Sequence, residues 1–323
     1  MKIWICGIAG VLGSALAEFF VNKGFEVFGN DIIRIEEAWR LENVRDKIRY
    51  VWKSTLDISK DDVKNMDIII DASLAVTDRP LGISSPFHTV IGNILPALKL
   101  LEVVKKLDKK PILIYPSSFN ALYGRVGEVY TEDTPIAPAS VYGWTKAAAE
   151  ELYRTYYRAY KIPVVITRVG SSFGERGRSD ELPHRLIIHC LKNKPFILKS
   201  PFAKRLWTYM GDVLEFYDKL IEKIHDVIGM TLICAGNKGD KIVTNLELAE
   251  LIKKLTNSNI EIKLSDYEPG ELINGKPIDF KIDASKTRKL LGWEPKHALE
   301  EGLIKTINWF KENIHRYVVV IEF

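Results

Sequence analysis

Short apolar runs alternate with longer stretches in which apolar residues recur every three or four positions. The runs predict buried strands over 2–6, 26–30, 50–57, 66–72, 111–115 and 163–168. The periodic stretches predict helices over 14–23, ended by Gly24, and over 89–106 and 140–160. Strand–helix–strand order of this kind predicts an α/β fold built on a parallel sheet. Beyond Gly174 the pattern loosens. Helices are expected over 212–224, 246–255 behind a Thr244 cap, 283–291 up to Gly292, and 299–313, with strands over 231–235 and 260–264. The β-branched tail, 317–323, reads as an added strand or a docking segment.

Composition narrows the class without deciding it. The 323 residues are enough for one large domain or two moderate ones. A net charge of +4 is too mild to imply nucleic acid. Cys6, Cys190 and Cys234 are far apart in apolar surroundings; they show no metal-ligand spacing and point to a reduced, cytoplasmic protein. His184 and His189 do not share a helix face well, so no metal is expected. The apolar N-terminus is interrupted by Gly7, Gly10 and Gly13 and lacks the marks of a signal peptide; no apolar stretch is read as long enough to cross a bilayer. A run of basic residues from Arg176 to Arg205, with few acids, suits an anionic substrate or a solvated lysine-rich face about equally well.

Chemistry enters at two places. The first strand runs into Gly7-Ile8-Ala9-Gly10-Val11-Leu12-Gly13, and a helix follows at once. Glycines at that spacing allow a tight turn and close approach to a pyrophosphate, while the helix N-terminus, with Val11 and Leu12 before it, presents free N–H groups and a positive dipole end. Asp31 ends the next strand, where a carboxylate accepts from the adenosine ribose hydroxyls and repels a 2′-phosphate; NAD is therefore expected over NADP. Asp57 is expected near the adenine edge or as a helix N-cap, and Ser73-Leu74-Ala75 under the pyrophosphate. The second place is Tyr142 and Lys146, at i and i+4 on one helix face. A cation beside a phenol favours the phenolate and turns a group with a pKa of about 10 into a general acid/base near neutrality. Read alone, that spacing also fits a surface tyrosine and lysine.

In order and spacing these residues resemble an extended short-chain dehydrogenase/reductase of the NAD-dependent epimerase/dehydratase type, over nearly the whole chain. The resemblance is carried by Gly7, Gly10 and Gly13; Asp31; Asp57 before Ile58; Asn93 with Leu100-Leu101-Glu102; Ser117-Ser118 with Tyr123-Gly124; Tyr142 with Lys146; Arg168 with Gly174; Arg205 with Asp212; and Leu291-Gly292-Trp293. It implies a doubly wound Rossmann domain over 1–174, with part of 206–235 returning to it, and a smaller interleaved C-terminal substrate-binding lobe over 175–323. It implies a homodimer through a four-helix bundle made of helices 89–106 and 142–160. It also implies hydride transfer between a substrate carbinol and NAD, with Tyr142 as base, Lys146 lowering its pKa and holding the nicotinamide ribose, and Ser118 orienting the reacting oxygen. Cofactor contacts are carried over to Gly7, Gly10, Val11, Leu12, Gly13, Asp31, Asp57, Ile58, Ala75, Asn93, Ser117, Tyr142, Lys146 and Arg168, and substrate contacts to Asn120, Ser171 and Arg205.

The chain departs from the family pattern at informative positions. One extra residue separates Ser117-Ser118 from Tyr123-Gly124, which makes Ser118 the better match for the catalytic hydroxyl and leaves Ser117 as the alternative. The dehydratase branch carries an Asp-Glu pair just after that hydroxyl; here Phe119-Asn120 stands there. Ser171 replaces an asparagine, and Glu268-Pro269-Gly270-Glu271 replaces Arg-Pro-Gly-Asp, placing an acid where a cation grips the diphosphate. The first expectation is a nucleotide-sugar 4-epimerase acting on a UDP-sugar. The alternatives are a net dehydrogenase of a smaller sugar, sugar acid or other secondary alcohol, and a non-catalytic NAD-binding protein.

Overall fold

The structure, a computed structural model, describes residues 1–74 and 85–318. Seven parallel strands form the main sheet: β1 (Lys2–Cys6), β2 (Glu26–Asp31), β3 (Arg49–Trp52), β4 (Ile68–Asp71), β5 (Ile112–Ser118), β6 (Val164–Val169) and β7 (Thr231–Cys234). Their order is β7-β6-β5-β4-β1-β2-β3. The chain winds outward from β1 through β2 and β3, then returns to β4 on the other side of β1. That reversal is the doubly wound pattern, and ligands bind outside the carboxyl ends of such strands at the reversal.

By packing, the chain divides into two compact units. The first holds 1–121, 140–168 and 221–232; the second holds 122–139, 169–220 and 233–323. In the first, two twenty-residue helices, Pro86–Lys105 and Val141–Tyr160, pack together along the sheet. Trp4, Ile69, Leu100, Leu101, Leu113, Tyr153 and Ile166 lie in one buried cluster between the layers. By length and composition Pro86–Lys105 is apolar enough to cross a membrane, which corrects the sequence reading that no stretch is. Its burial of Leu100, Leu101 and Val104 is that of a core helix.

The second unit contains a three-stranded sheet of Ser171–Phe173, Lys204–Tyr209 and Ile242–Thr244. Residues 122–139 belong to it because Val129–Tyr130 pairs with Lys281–Ile282, Tyr130 stacks on Phe280, and Glu132 accepts from Thr287. Several basic residues of the Arg176–Arg205 segment have partners within the second unit: Arg178 pairs with Asp180, Arg185 lies over Phe196, and Lys204 pairs with Asp279. His184 and His189 are buried, the first accepting from the Gly174 N–H.

Two element boundaries differ from expectation in ways that matter for the site. The third strand stops at Trp52; Ser54 then accepts from the Leu56 N–H and starts a 3₁₀ turn, Thr55–Asp57, so Asp57 sits in a capped turn rather than at a strand end. Ser59, not Asp57, heads the next short helix, in a capping box with Asp62. Strand β5 continues through Pro116 to Ser118 instead of ending at Tyr115. Pairing with β4 covers Ile112 to Ile114, so the proline's missing N–H falls beyond it. The three cysteines are all buried, unpaired thiols, with burial pushing each one's pKa up.

Candidate active site

The glycine turn is held from beneath by Asn30. Its backbone carbonyl accepts from the N–H groups of Gly7 (2.9 Å) and Ile8 (3.2 Å), and its side-chain oxygen accepts from the Trp4 indole. Gly7 has φ +72, and a Cβ there would lie 2.7 Å from the Ala72 carbonyl oxygen. The turn and the end of β4 thus meet at the reversal of strand order. A Cβ at Gly13 would overlap the Gly7 carbonyl, so only glycine lets the helix Val11–Asn22 start this close to the turn. Gly10 caps that helix with no side-chain acceptor, which leaves its first N–H groups for a ligand anion. Asp31 Oδ2 accepts from the Ala9 N–H at 3.0 Å and Oδ1 from the Ile33 N–H at 3.2 Å; each oxygen keeps capacity for a further donor. A pyrophosphate cradle with a carboxylate at the neighbouring strand end fits a dinucleotide. Asp57 is exposed, whereas the Ile58 side chain is committed to the core, so Ile58 has only its backbone to offer. Ala75 lies outside the described residues.

Tyr142 and Lys146 lie in the first turns of the helix Val141–Tyr160, which Ser140 caps by accepting from the Gly143 N–H. A Cβ at Gly143 would overlap the Asn120 carbonyl oxygen, so the helix backbone rests directly on the 3₁₀ turn Phe119–Ala121. Asn93 reaches across from Pro86–Lys105 and donates to Thr145 Oγ1 at 3.0 Å, and Thr145 donates to the Tyr142 carbonyl at 2.7 Å. Tyr142 is half-buried. Lys146 is 6 % exposed. Its Nζ donates to the Pro116 carbonyl at 2.6 Å and lies 4.6 Å from the centre of the Tyr115 ring. Burial lowers its pKa to about 8, against the pull of Asp71 and Glu150.

The two serines have different partners. Ser117 is buried and donates to Glu150 Oε1 at 2.6 Å. Glu150, fully buried, also receives Arg168 Nε at 3.2 Å, Arg168 Nη2 at 3.1 Å and Arg154 Nη2 at 2.8 Å. Ser118 is half-buried, and its Oγ accepts from the Asn120 N–H at 3.2 Å and from Asn120 Nδ2 at 3.1 Å. The first unit therefore brings together the glycine turn, Asp31, Asn93, Ser117, Ser118, Asn120, Tyr142, Lys146 and Arg168. Arg168 sits there as the partner of Glu150.

Sequence reasoning missed two buried acids in this cluster. Glu150 continues the i, i+4 series Tyr142–Lys146, a spacing that puts it on the same helix face. Asp71 terminates the run Ile68-Ile69-Ile70, and a charge ending a buried strand is a visible signal.

Ser171 and Arg205 belong to the second unit. Ser171 is half-buried and pairs in register with Trp207. Arg205 is 1 % exposed; it forms an ion pair with Glu271, donates to the Lys204 carbonyl at 2.7 Å and lies over the Tyr123 ring. Its guanidinium already has an internal carboxylate partner. Among the described residues no group of three His, Cys, Asp or Glu is placed to hold a metal ion.

The chain is similar to known proteins over nearly its full length. A family model described as GDP-mannose 4,6 dehydratase matches residues 4–306. A UDP-glucuronate 4-epimerase of Thermodesulfobacterium geofontis is 27% identical, across 96% of this chain and 96% of that protein. A dTDP-glucose 4,6-dehydratase of Neisseria gonorrhoeae is 26% identical, across 97% of this chain and 96% of its own length. Among solved structures, UDP-glucuronic acid 4-epimerase from Bacillus cereus, in complex with UDP-glucuronic acid and NAD, superposes with a TM-score of 0.86 at 25% identity, covering 97% of this chain and 100% of that one.

Proposed function

Because the chain belongs to the NAD-dependent epimerase/dehydratase family of extended short-chain dehydrogenases/reductases, we propose that it is a nucleotide-sugar 4-epimerase acting on a UDP-sugar. Family relatives include epimerases, 4,6-dehydratases and UDP-glucuronic acid decarboxylases. The observation that favours epimerisation is the 3₁₀ turn after Ser118. Elimination of water needs one group to take a carbon-bound proton and another to protonate the leaving hydroxyl. Phe119 is a buried hydrocarbon there, and Asn120 is an amide whose side-chain N–H already donates to Ser118. Neither side chain titrates.

Bound NAD supplies the acceptor and donor for the hydride. Gly7, Gly10, Val11, Leu12 and Gly13 hold the pyrophosphate by backbone, Asp31 the adenosine ribose, and Asp57 with the Ile58 backbone the adenine. Tyr142, as phenolate, takes the proton of the 4-hydroxyl and returns it to the 4-keto oxygen once the sugar has turned its other face. Lys146 supplies the positive charge that keeps the phenolate available, and its Pro116 contact fixes where that charge sits. Ser118 donates to the reacting oxygen; Ser117 instead ties strand β5 to Glu150. Asn93 holds the helix start through Thr145. Substrate contact is assigned to Asn120 in the first unit and, in the second, to Ser171 and Arg205, where an incoming anion competes with Glu271 for the guanidinium. The second unit's Arg205–Glu271 pair, and Glu268 in place of a cation, also support a second reading, the net oxidation of a smaller sugar or sugar acid.

An assembly belongs to the proposal. Phe87, Ile91 and Leu95 repeat every fourth position on Pro86–Lys105 and stay exposed, as does Trp144 on the neighbouring helix. Such a stripe suits a homodimer through a four-helix bundle. The three free thiols fit a reducing, cytoplasmic setting.

The deciding experiment offers UDP-glucose, UDP-galactose and UDP-glucuronate to the purified protein. Interconversion at C4 with retained cofactor and no NADH build-up supports the epimerase. Substrate-dependent NADH accumulation transfers support to the dehydrogenase. Activity that survives Tyr142→Phe removes the assigned base.

A further inference from the structure

Beneath Tyr142 and Lys146 lies a buried carboxylate with no role in the chemistry above. Asp71 ends β4 and is 2 % exposed. Its Oδ2 accepts from the Tyr153 hydroxyl at 2.6 Å, and its Oδ1 from the Ser73 N–H at 3.3 Å and the Ser73 hydroxyl. The Tyr153 ring stacks on Tyr115 with centroids 4.7 Å apart and planes 17° from parallel. The Lys146 ammonium lies 4.6 Å from the centre of the same Tyr115 ring. Asp71, Tyr153, Tyr115 and Lys146 thus form one buried chain of contacts from β4 through β5 to the helix Val141–Tyr160.

An ionised carboxylate in the interior is costly unless a cation or several donors offset it. Among the described residues the hydrogen-bond donors to Asp71 are all neutral. Glu150, the other acid of the cluster, is matched by Arg168 and Arg154, so much of its field is spent on them. We propose that Asp71 is a positioning residue: it is the counter-anion of the Lys146 ammonium, held in place by Tyr153, whose ring stacks on the Tyr115 ring that Lys146 also contacts. The proposal rests on the reading of Lys146 as the cation of the active site. Its consequence is electrostatic. Burial works against the Lys146 charge, and Asp71 works for it.

The groups facing Lys146 from the packed elements are few. The helix itself brings Tyr142, Glu150 and Tyr153; β5 brings Tyr115; β4 brings Asp71; β6 brings Arg168; and β1 brings Cys6 beside Asp71. The helix Pro86–Lys105 meets this end through uncharged Asn93, while its Glu102 pairs with Tyr156 further along. Tyr115, Tyr153 and Cys6 have their own pKa values pushed well up by burial and by Asp71, so they stay neutral while Lys146 titrates.

The test reads Lys146 directly. Lysine ε-carbons are ¹³C-labelled in the NAD-loaded protein without sugar, and the Lys146 resonance is assigned by its loss in Lys146→Arg. Its titration midpoint is then compared in wild type, Asp71→Asn and Tyr153→Phe. Asp71→Asn is expected to lower the midpoint by about one pH unit, the size of effect a nearby opposite charge has on a buried group. Tyr153→Phe, which keeps the carboxylate, is expected to stay near wild type. An unchanged midpoint in folded Asp71→Asn overturns the proposal, and so does an equal fall in both variants, which would mark a packing effect. Asp71→Ser, also neutral, takes the place of Asn if that variant does not fold. Because the titration needs no turnover, it stands even if no nucleotide sugar is epimerised; with an active substrate, the alkaline limb of the rate profile moves down with the midpoint.

Discussion

Replacing Lys146 by Met, similar in reach but uncharged, should abolish turnover while making the fold more stable at pH 7. The free Lys side chain has a pKa of 10.5, and burial lowers it to about 8 in the folded protein. Between those values the unfolded chain binds more protons than the folded one, so stability rises with pH across that window. Below pH 8 the full cost of burying the ammonium is present. A difference of about 2.5 pH units corresponds to about 3 kcal/mol. Met removes that cost but also removes the donor to the Pro116 carbonyl, worth about 1 kcal/mol, so the net gain at pH 7 is about 2 kcal/mol. At pH 10 the unfolded lysine is itself losing its proton, and the gain should shrink to near zero. Urea unfolding of both proteins at pH 7 and pH 10, each stripped of NAD so that cofactor binding does not enter, measures this double difference. A variant less stable than wild type at pH 7, or an advantage equal at the two pH values, refutes the reasoning.

Three further outcomes follow from the packing. Glu150→Gln leaves the Arg168 guanidinium in a dry site without its anion and should cost about 3 kcal/mol in urea unfolding; a loss under about 1 kcal/mol would mean that the network is redundant. Gly143→Ala drives a methyl group into the Asn120 carbonyl, and should cost about 1–3 kcal/mol while lowering kcat through Asn120 and Ser118, read by thermal unfolding together with steady-state rates. Ile91→Glu puts a charge in the middle of the exposed apolar stripe, and light scattering is expected to give monomers for this variant and dimers for the unaltered protein.

The parts of this molecule that were legible beforehand are those specified within a few residues. Strand, glycine turn, helix and terminal Asp31 follow one another without a gap, and each local preference agrees with the next. The pair Tyr142–Lys146 was legible for the same reason, since four residues on a helix always share a face. What escaped depends on partners distant in the chain. Nothing local marks Ser117 as spent on Glu150, 33 residues away, or Tyr153 as the donor to Asp71, 82 residues away. Strand β5 ran past its expected end because Pro116 reads as a stop; there it instead supplies a carbonyl to Lys146. The loop 122–139 carries turn residues that look like a connection, yet its Tyr130 and Glu132 find partners some 150 residues further on. Arg205 was singled out as a substrate contact; its pairing with Glu271 was not foreseeable from either stretch alone.

The buried cysteines give the molecule a set of internal clocks. A thiol reacts as thiolate, and each of these thiols is both covered and held protonated, so a small thiol reagent at neutral pH must wait for the chain around it to open. Cys6 ends β1 in the first unit; Cys190 and Cys234 belong to the second, one in the helix Leu182–Leu191 and one at the end of β7. Labelling rates at the three positions, separated by mass, would time three different openings in a single experiment on the unaltered protein. A bound ligand that slows one clock and leaves the others running would reveal which part of the chain it closes.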